Sequence, residues 1–337
     1  MQYIITEIEN NKVEKPTLQN ICKLIYEYNK ECYPEENMSL ESIEKDFLRE
    51  NQLELSHKWI IQNKDRPNFV LGYGYLNFHK KNSPNYEETK NVASFNIIIT
   101  KDHRRNKLGS RLFALIKEKA ELLNKKLLQT QVTISDSKEF CDYHSGIIAN
   151  KGIENRLQSK DIDWNMIDQW IQEGKLSHPN IKIEQYFELP EKYITIVAQL
   201  SNELLADEPT GDNVSTEVIT VEHIRDSEKY FREENWELIV LITINSTDVI
   251  SGVTLCAFDK NNPKIVNQYL TGIKKIFRGK GLGKWLKAEM LHRLKTINPN
   301  FQEIITGNRT TNDVMLAINK KLGFRPYRTI YYYSFAI

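Results

Sequence analysis

The segment whose residue types and spacing speak most directly of chemistry is Arg278-Gly279-Lys280-Gly281-Leu282-Gly283. It stands between a strand-like run and a helix-like run. There a turn leaves consecutive backbone N–H groups unpaired at the positive end of a helix dipole, roughly half a unit charge, and makes a cradle for an anion. Glycines let the backbone close on that anion with no Cβ in the way. From Lys274 to Lys287 there are six basic residues (Lys274, Lys275, Arg278, Lys280, Lys284, Lys287) and no acid, a local cluster suited to phosphate. Two other phosphate loops fit less well. A Walker loop needs Ser or Thr where Trp285 stands, and a dinucleotide fingerprint needs glycine where Lys284 stands.

A helix must follow the loop to hold it. Leu282, Trp285, Leu286, Met290, Leu291 and Leu294 recur at i, i+3, i+4 spacing and give one apolar stripe for core packing. The whole arrangement has an echo about 174 to 180 residues earlier, where NVASFNIIITKDHRRNKLGSRLFALIKEKAELL (91–123) parallels KIVNQYLTGIKKIFRGKGLGKWLKAEMLHRLK (264–295). Arg104 aligns with Arg278, Leu108 with Leu282 and Gly109 with Gly283. Upstream, VLGYGYLNF (70–78) matches VISGVTLCAF (249–258) as a strand, and Pro34 and Pro209 each follow a helical stretch. Self-similarity on this scale means a duplicated domain, each copy an α/β (α+β) unit with a mixed sheet.

Between the copies, 138–146 reads as a short helix stopped by Gly146, 154–162 as a strand, and 163–174 as a helix ended by Gly174. His178-Pro179-Asn180 marks a boundary, and a new strand-like run opens at 181–190. The expected domains are therefore 1–178, which includes the connecting helix, and 179–337. The copies are unequal at the loop. Arg105 and Lys107 stand where Gly279 and Gly281 stand, and their side chains crowd an anion even as their charge attracts it. The first copy is expected to have a degenerate loop and to shape the second copy's cleft, leaving one tight cofactor site per chain.

With these motifs the chain resembles the GNAT-type N-acetyltransferases, whose Arg/Gln-x-x-Gly-x-Gly/Ala signature binds the pyrophosphate of acetyl-coenzyme A. FRGKGLGKWLKAEML carries that signature, and TTNDVMLAINKKLGFRP (310–326) is similar to the family's next segment. The tandem arrangement is similar to the mycothiol synthase-like two-domain acetyltransferases. The resemblance implies two copies of the acyl-CoA N-acyltransferase fold, with transfer of acetyl from acetyl-coenzyme A to a primary amine of a small molecule in the second copy. It implies cofactor contacts at Gly272, Ile273, Lys274, Arg278, Gly279, Lys280, Gly281, Leu282, Gly283, Lys284, Asn308 and Asn312. Asn319 would lie near the leaving sulfur, with Tyr269 a further proton donor, and Asp207, Glu208 and Gln268 would line the acceptor site. Two assignments stay open, because Asn312 suits pantetheine or a helix cap, and Asn319 suits the sulfur or a structural hydrogen bond. Where relatives often carry a carboxylate this chain has Asn267, Gln268 and Tyr269, and where they often carry a tyrosine it has Asn319. A non-catalytic coenzyme A sensor, or an acyltransferase for a protein or peptide amine, is the competing reading.

Composition frames these expectations. A chain of 337 residues, 40% hydrophobic and 27% charged, has room for two cores. Its net charge of +1 gives no field for nucleic acid or an anionic membrane. Cys22, Cys32, Cys141 and Cys256 lack the spacing of zinc or redox motifs, so no metal is expected. Absence of a signal-like start or a long apolar run makes a cytoplasmic monomer or homodimer the expectation.

Overall fold

A computed structural model describes residues 2–35, 38–207, 218–310 and 312–337. The chain forms two compact units, Met1–Ala149 with Tyr331–Ile337, and Asn150–Ile330.

In the first unit the strands are β1 (Tyr3–Ile8), β2 (Glu54–Asn63), β3 (Arg66–His79), β4 (Val92–Ile99) and β5 (Leu127–Val132), side by side in that order. Only β4 and β5 are parallel among these neighbours. Helices α1 (Lys15–Cys32) and α2 (Leu40–Leu48) cover one face, and α4 (Leu108–Leu122) and α5 (Ser135–Tyr143) the other; α3 (Tyr86–Thr89) is a single turn. Strand alternation feeds both cores. Trp59 and Ile61 point to the α4 side and Ile60 to the α1 side, as a period of two requires. Beyond β5 lies the chain's last strand, whose residues from Tyr331 to Ala336 pair antiparallel with Val132 to Leu127.

The second unit repeats the plan. It holds β6 (Ile147–Gln158) from Asn150 on, α6 (Trp164–Ser177), β7 (Ile181–Tyr186), α7 (Glu191–Ala206), α8 (Val221–Glu233), β8 (Trp236–Asn245), β9 (Ile250–Asp259), β10 (Ile265–Ile273), α9 (Leu282–Ile297), β11 (Glu303–Arg309), α10 (Asp313–Leu322) and the start of β12 (Arg325–Ala336). The strand order is β7-β8-β9-β10-β11-β6, with β10 and β11 parallel. Ile239 and Leu241 join the core under α9 and α6, while Val240 and Ile242 join the one under α7 and α8.

These units differ from the expected domains at both ends. Residues 150–177 pack with the second unit, because Ile167, Trp170 and Ile171 of α6 sit in the same core as Trp285 and Leu286 of α9. The last residues, Tyr331–Ile337, complete the first unit's sheet instead of the second's. The strand read over 154–162 is β6, which begins earlier and ends at Gln158. Gly174 does not stop its helix, which runs to Ser177. It is a point of close approach, since a Cβ there would lie 2.2 Å from Trp285 Cγ. All four cysteines are buried and free. Among the described residues no helix is long and apolar enough to cross a membrane.

Candidate functional site

The second unit's site is a fork. Parallel pairing of β10 with β11 starts at Ile265–Glu303 and stops at Gln268–Thr306, although β10 continues to Ile273 and β11 to Arg309. At the same place β10 bulges against β9, where the three steps from Gln268 to Thr271 face the two from Cys256 to Thr254. A bulge bends its strand and sharpens the local twist, which turns β10 away from β11.

The loop lies at the end of β10, as the glycine spacing predicts. Gly279 has φ +79° and Gly281 φ +80°, a left-handed conformation that residues with a Cβ adopt only at a cost. The first intrahelical bond of α9 runs from Trp285 N to Gly281 O, so the amides of Leu282, Gly283 and Lys284 precede the bonded part of the helix. A Cβ built on Gly279 would meet nothing within 4 Å, and one on Gly281 only Lys284 Cε at 3.9 Å. The space over the loop is open. Two contacts fix its shape from behind: Arg278 Nε donates to Ile273 O at 2.8 Å, and His178 Nε2 donates to Lys280 O at 2.8 Å with its ring stacked on Trp285. His178, read in the sequence only as part of a boundary, is thus a brace for the loop.

Of the six basic residues, five lie around the loop and one does not. Arg278 bonds Asp207 at 2.6 Å, Lys274 faces Glu203 at 3.5 Å, and Lys284 lies 3.9 Å from Glu173, while Lys280 has no ion-pair partner among the described residues. Lys287 turns inward instead and is 2% exposed, because its place on α9 is on the apolar stripe. Its Nζ donates to Gln268 Oε1 at 3.0 Å and Asn319 Oδ1 at 2.6 Å, and Asn319 Nδ2 donates to Asn308 Oδ1 at 2.7 Å. Three of the residues that sequence reading singled out, Gln268, Asn308 and Asn319, therefore converge, held together by a fourth that was counted in the phosphate cluster of the loop. A lysine in an apolar helical stripe was the available signal.

The remaining expected residues are dispersed. Tyr269 is about half exposed and its ring lies against Phe231 of α8. Asn312 caps α10, its Oδ1 accepting from Met315 N at 3.3 Å, which favours the capping alternative. Gly272 lies against α7, where a Cβ would be 2.4 Å from Leu204 Cδ1. Lys274 N donates to Ser251 O, and Ile273 sits in the α9 core. Asp207 is engaged with the loop arginine, and Glu208 lies outside the described residues. Among the described residues no three or more His, Cys, Asp or Glu side chains gather as metal ligands would.

The first unit carries the same fork with different contents. Pairing of β4 and β5 stops at Ser94–Gln129, and Arg104 Nε donates to Ile99 O as Arg278 does to Ile273 O. Its loop keeps the left-handed turns, with φ +62° at Arg105 and +61° at Lys107, so the backbone survives where the glycines do not. The charges differ more. Arg104 bonds both Glu31 and Asp136, and Arg105 bonds Glu139. The Arg104 guanidinium holds the Glu31 carboxyl below its ordinary value. β4 has no bulge, and a cavity of 310 Å³ lies beside Phe95, Ile97, Val132 and Phe140.

No protein-family model and no curated protein matches the sequence. Solved structures do match its fold. A tandem GNAT protein from the clavulanic acid biosynthesis pathway superposes with a TM-score of 0.76 at 16% identity, over 99% of this chain and 98% of that one. A GCN5-related N-acetyltransferase from Sphaerobacter thermophilus gives 0.66 at 12% identity, over 99% and 95%. A glucosamine N-acetyltransferase region of a fungal multi-domain β-N-acetylglucosaminidase gives 0.67 at 10% identity, over 99% and 38%. The chain has the tandem GNAT fold, in line with the expected two copies.

Proposed function

We propose that the protein transfers an acetyl group from acetyl-coenzyme A to a primary amine of a small molecule, and that the second unit does so. The observation that carries this reading is the open glycine loop at the mouth of the β10–β11 fork. The amides of Leu282, Gly283 and Lys284 and the left-handed turns at Gly279 and Gly281 suit a pyrophosphate, and these fixed dipoles need no reorganisation to receive it. Lys280 and Arg278 add charge without covering the amides. Past Gln268–Thr306 the diverging strands leave room for an extended arm to lie along β10 as an added strand would.

In this reaction the amine nitrogen attacks the thioester carbonyl carbon, a C–N bond forms, the C–S bond breaks, and the thiolate leaves. The amine must lose one proton and the thiolate gain one. Among the described residues no carboxylate is bonded to Gln268, Asn308 or Asn319, and in this proposal the amine's proton passes to solvent. The same observation favours a second reading, a coenzyme A sensor without turnover. Incubation with acetyl-coenzyme A and a panel of amines, read as free thiol and acetylated product, separates the two. Thiol released only with an amine present supports transfer; tight binding with no release on any amine supports the sensor.

A further inference from the structure

A buried lysine amino group sits at the base of the fork, and the scheme above does not use it. Lys287 has no carboxylate partner among the described residues, and burial alone pushes it from 10.5 down to about 7. Its contacts reach both diverging strands. On one side Asn319 passes the contact to Asn308, which lies on β11 beyond the last β10 pair. On the other, Gln268 Nε2 lies 3.5 Å from Thr254 Oγ1, which shares a 2.6 Å hydrogen bond with Thr271, the first paired residue after the bulge. One amino group thus touches, through two amides, the two lips of the fork.

The first unit shows that the fold itself has no need of this group. Phe113 follows Arg104 by nine residues as Lys287 follows Arg278. Phe95 stands where Gln268 stands, once the bulge in β10 is allowed for. Cys141 O accepts from Gly146 N as Asn319 O accepts from Phe324 N, so Cys141 takes the place of Asn319. Phe95 and Phe113 have ring centroids 5.2 Å apart, in one apolar core with Cys141. A buried charge with neutral partners is unfavourable where packed apolar groups would serve. A polar trio in one copy, at positions the other copy fills with aromatic rings and a thiol, points to a demand of the site.

We propose that Lys287 is the positioning residue of the fork: its amino group, donating to the amide oxygens of Gln268 and Asn319, orients them and through them Thr271 and Asn308 around the thioester end of the bound coenzyme. This rests on the acetyl-transfer reading for its chemistry, and on the fork alone for its geometry. Two variants test it, Lys287→Met and the triple Gln268→Phe/Lys287→Phe/Asn319→Cys, which copies the first unit's packing and guards against a fold lost through one substitution. In both, kcat for thiol release is expected to fall at least 100-fold while the dissociation constant for acetyl-coenzyme A stays within threefold; unchanged kcat in a folded variant overturns the proposal. A second readout needs no turnover. The side-chain NMR signal of Lys287, assigned by its loss in Lys287→Met, should shift with acetyl-coenzyme A and stay in place with adenosine 3′,5′-bisphosphate, which reaches the loop and not the fork. A signal indifferent to acetyl-coenzyme A overturns the proposal. A shift in a protein that releases thiol with no amine supports it and removes the acetyl-transfer reading instead.

Discussion

Replacing Lys287 by methionine should change how stability depends on pH, with a magnitude set by its burial. A folded-state value of about 7 against 10.5 for the free side chain means that the unfolded chain binds one more proton between those two values. Stability contributed by this group is therefore complete above the unfolded value and is lost as pH falls through that window to the folded value. Each pH unit within it is worth about 1.4 kcal/mol. Between pH 6 and pH 9 roughly two units are traversed, so wild type should gain about 3 kcal/mol relative to Lys287→Met. The absolute difference at any one pH also includes the amide oxygens of Gln268 and Asn319 left unpaired, about 1–3 kcal/mol each, which does not vary with pH. Urea unfolding of both proteins at pH 6, 7, 8 and 9 isolates the slope. Tryptophan fluorescence is a suitable probe, because Trp164, Trp170, Trp236 and Trp285 lie in the second unit and only Trp59 in the first. A stability difference constant across this range would refute the placement of Lys287 as a buried amino group without an acidic partner.

Other consequences concern the loop. Gly281→Lys copies Lys107 of the first unit; it should lower stability by about 1–2 kcal/mol for the left-handed backbone and abolish coenzyme binding in calorimetry, and unchanged affinity would remove the loop from the site. Asp207→Asn frees Arg278 from an exposed ion pair worth about 0–1 kcal/mol, so coenzyme affinity should rise by up to about fivefold. A raised acceptor KM with unchanged coenzyme affinity would restore Asp207 to the acceptor wall. Titration with acetyl-coenzyme A should give one tight site per chain, since Arg104 and Arg105 are already committed to Glu31, Asp136 and Glu139. Two equal sites would contradict that.

The long helices and the glycine loop were legible in the sequence because each is local, and the repeat because its two copies keep the same motifs in the same order. Periodicity marks α9, and glycine spacing marks the turn before it. Strand membership is not local. Nothing in residues 331–337 distinguishes a strand that closes the second unit from one that closes the first, and only the pairing of Tyr331 with Val132 decides it. The same holds for β6, whose pairing with β11 places it in the second unit. Within the site, Gln268, Asn308 and Asn319 were found through family spacing, but the residue joining them was not, because its charge placed it in the loop's phosphate cluster. Asn312 and Asp207 show the converse, for residues suited to a ligand are engaged within the chain by a helix N-terminus and an arginine.

The most direct test of the central claim is a crystal structure of the protein grown with acetyl-coenzyme A. The account predicts pyrophosphate oxygens within about 3 Å of the amides of Leu282, Gly283 and Lys284, with the acetyl end in the fork past Gln268–Thr306. Coenzyme bound instead in the first unit's cavity beside Phe95, with the second unit's loop empty, would contradict it.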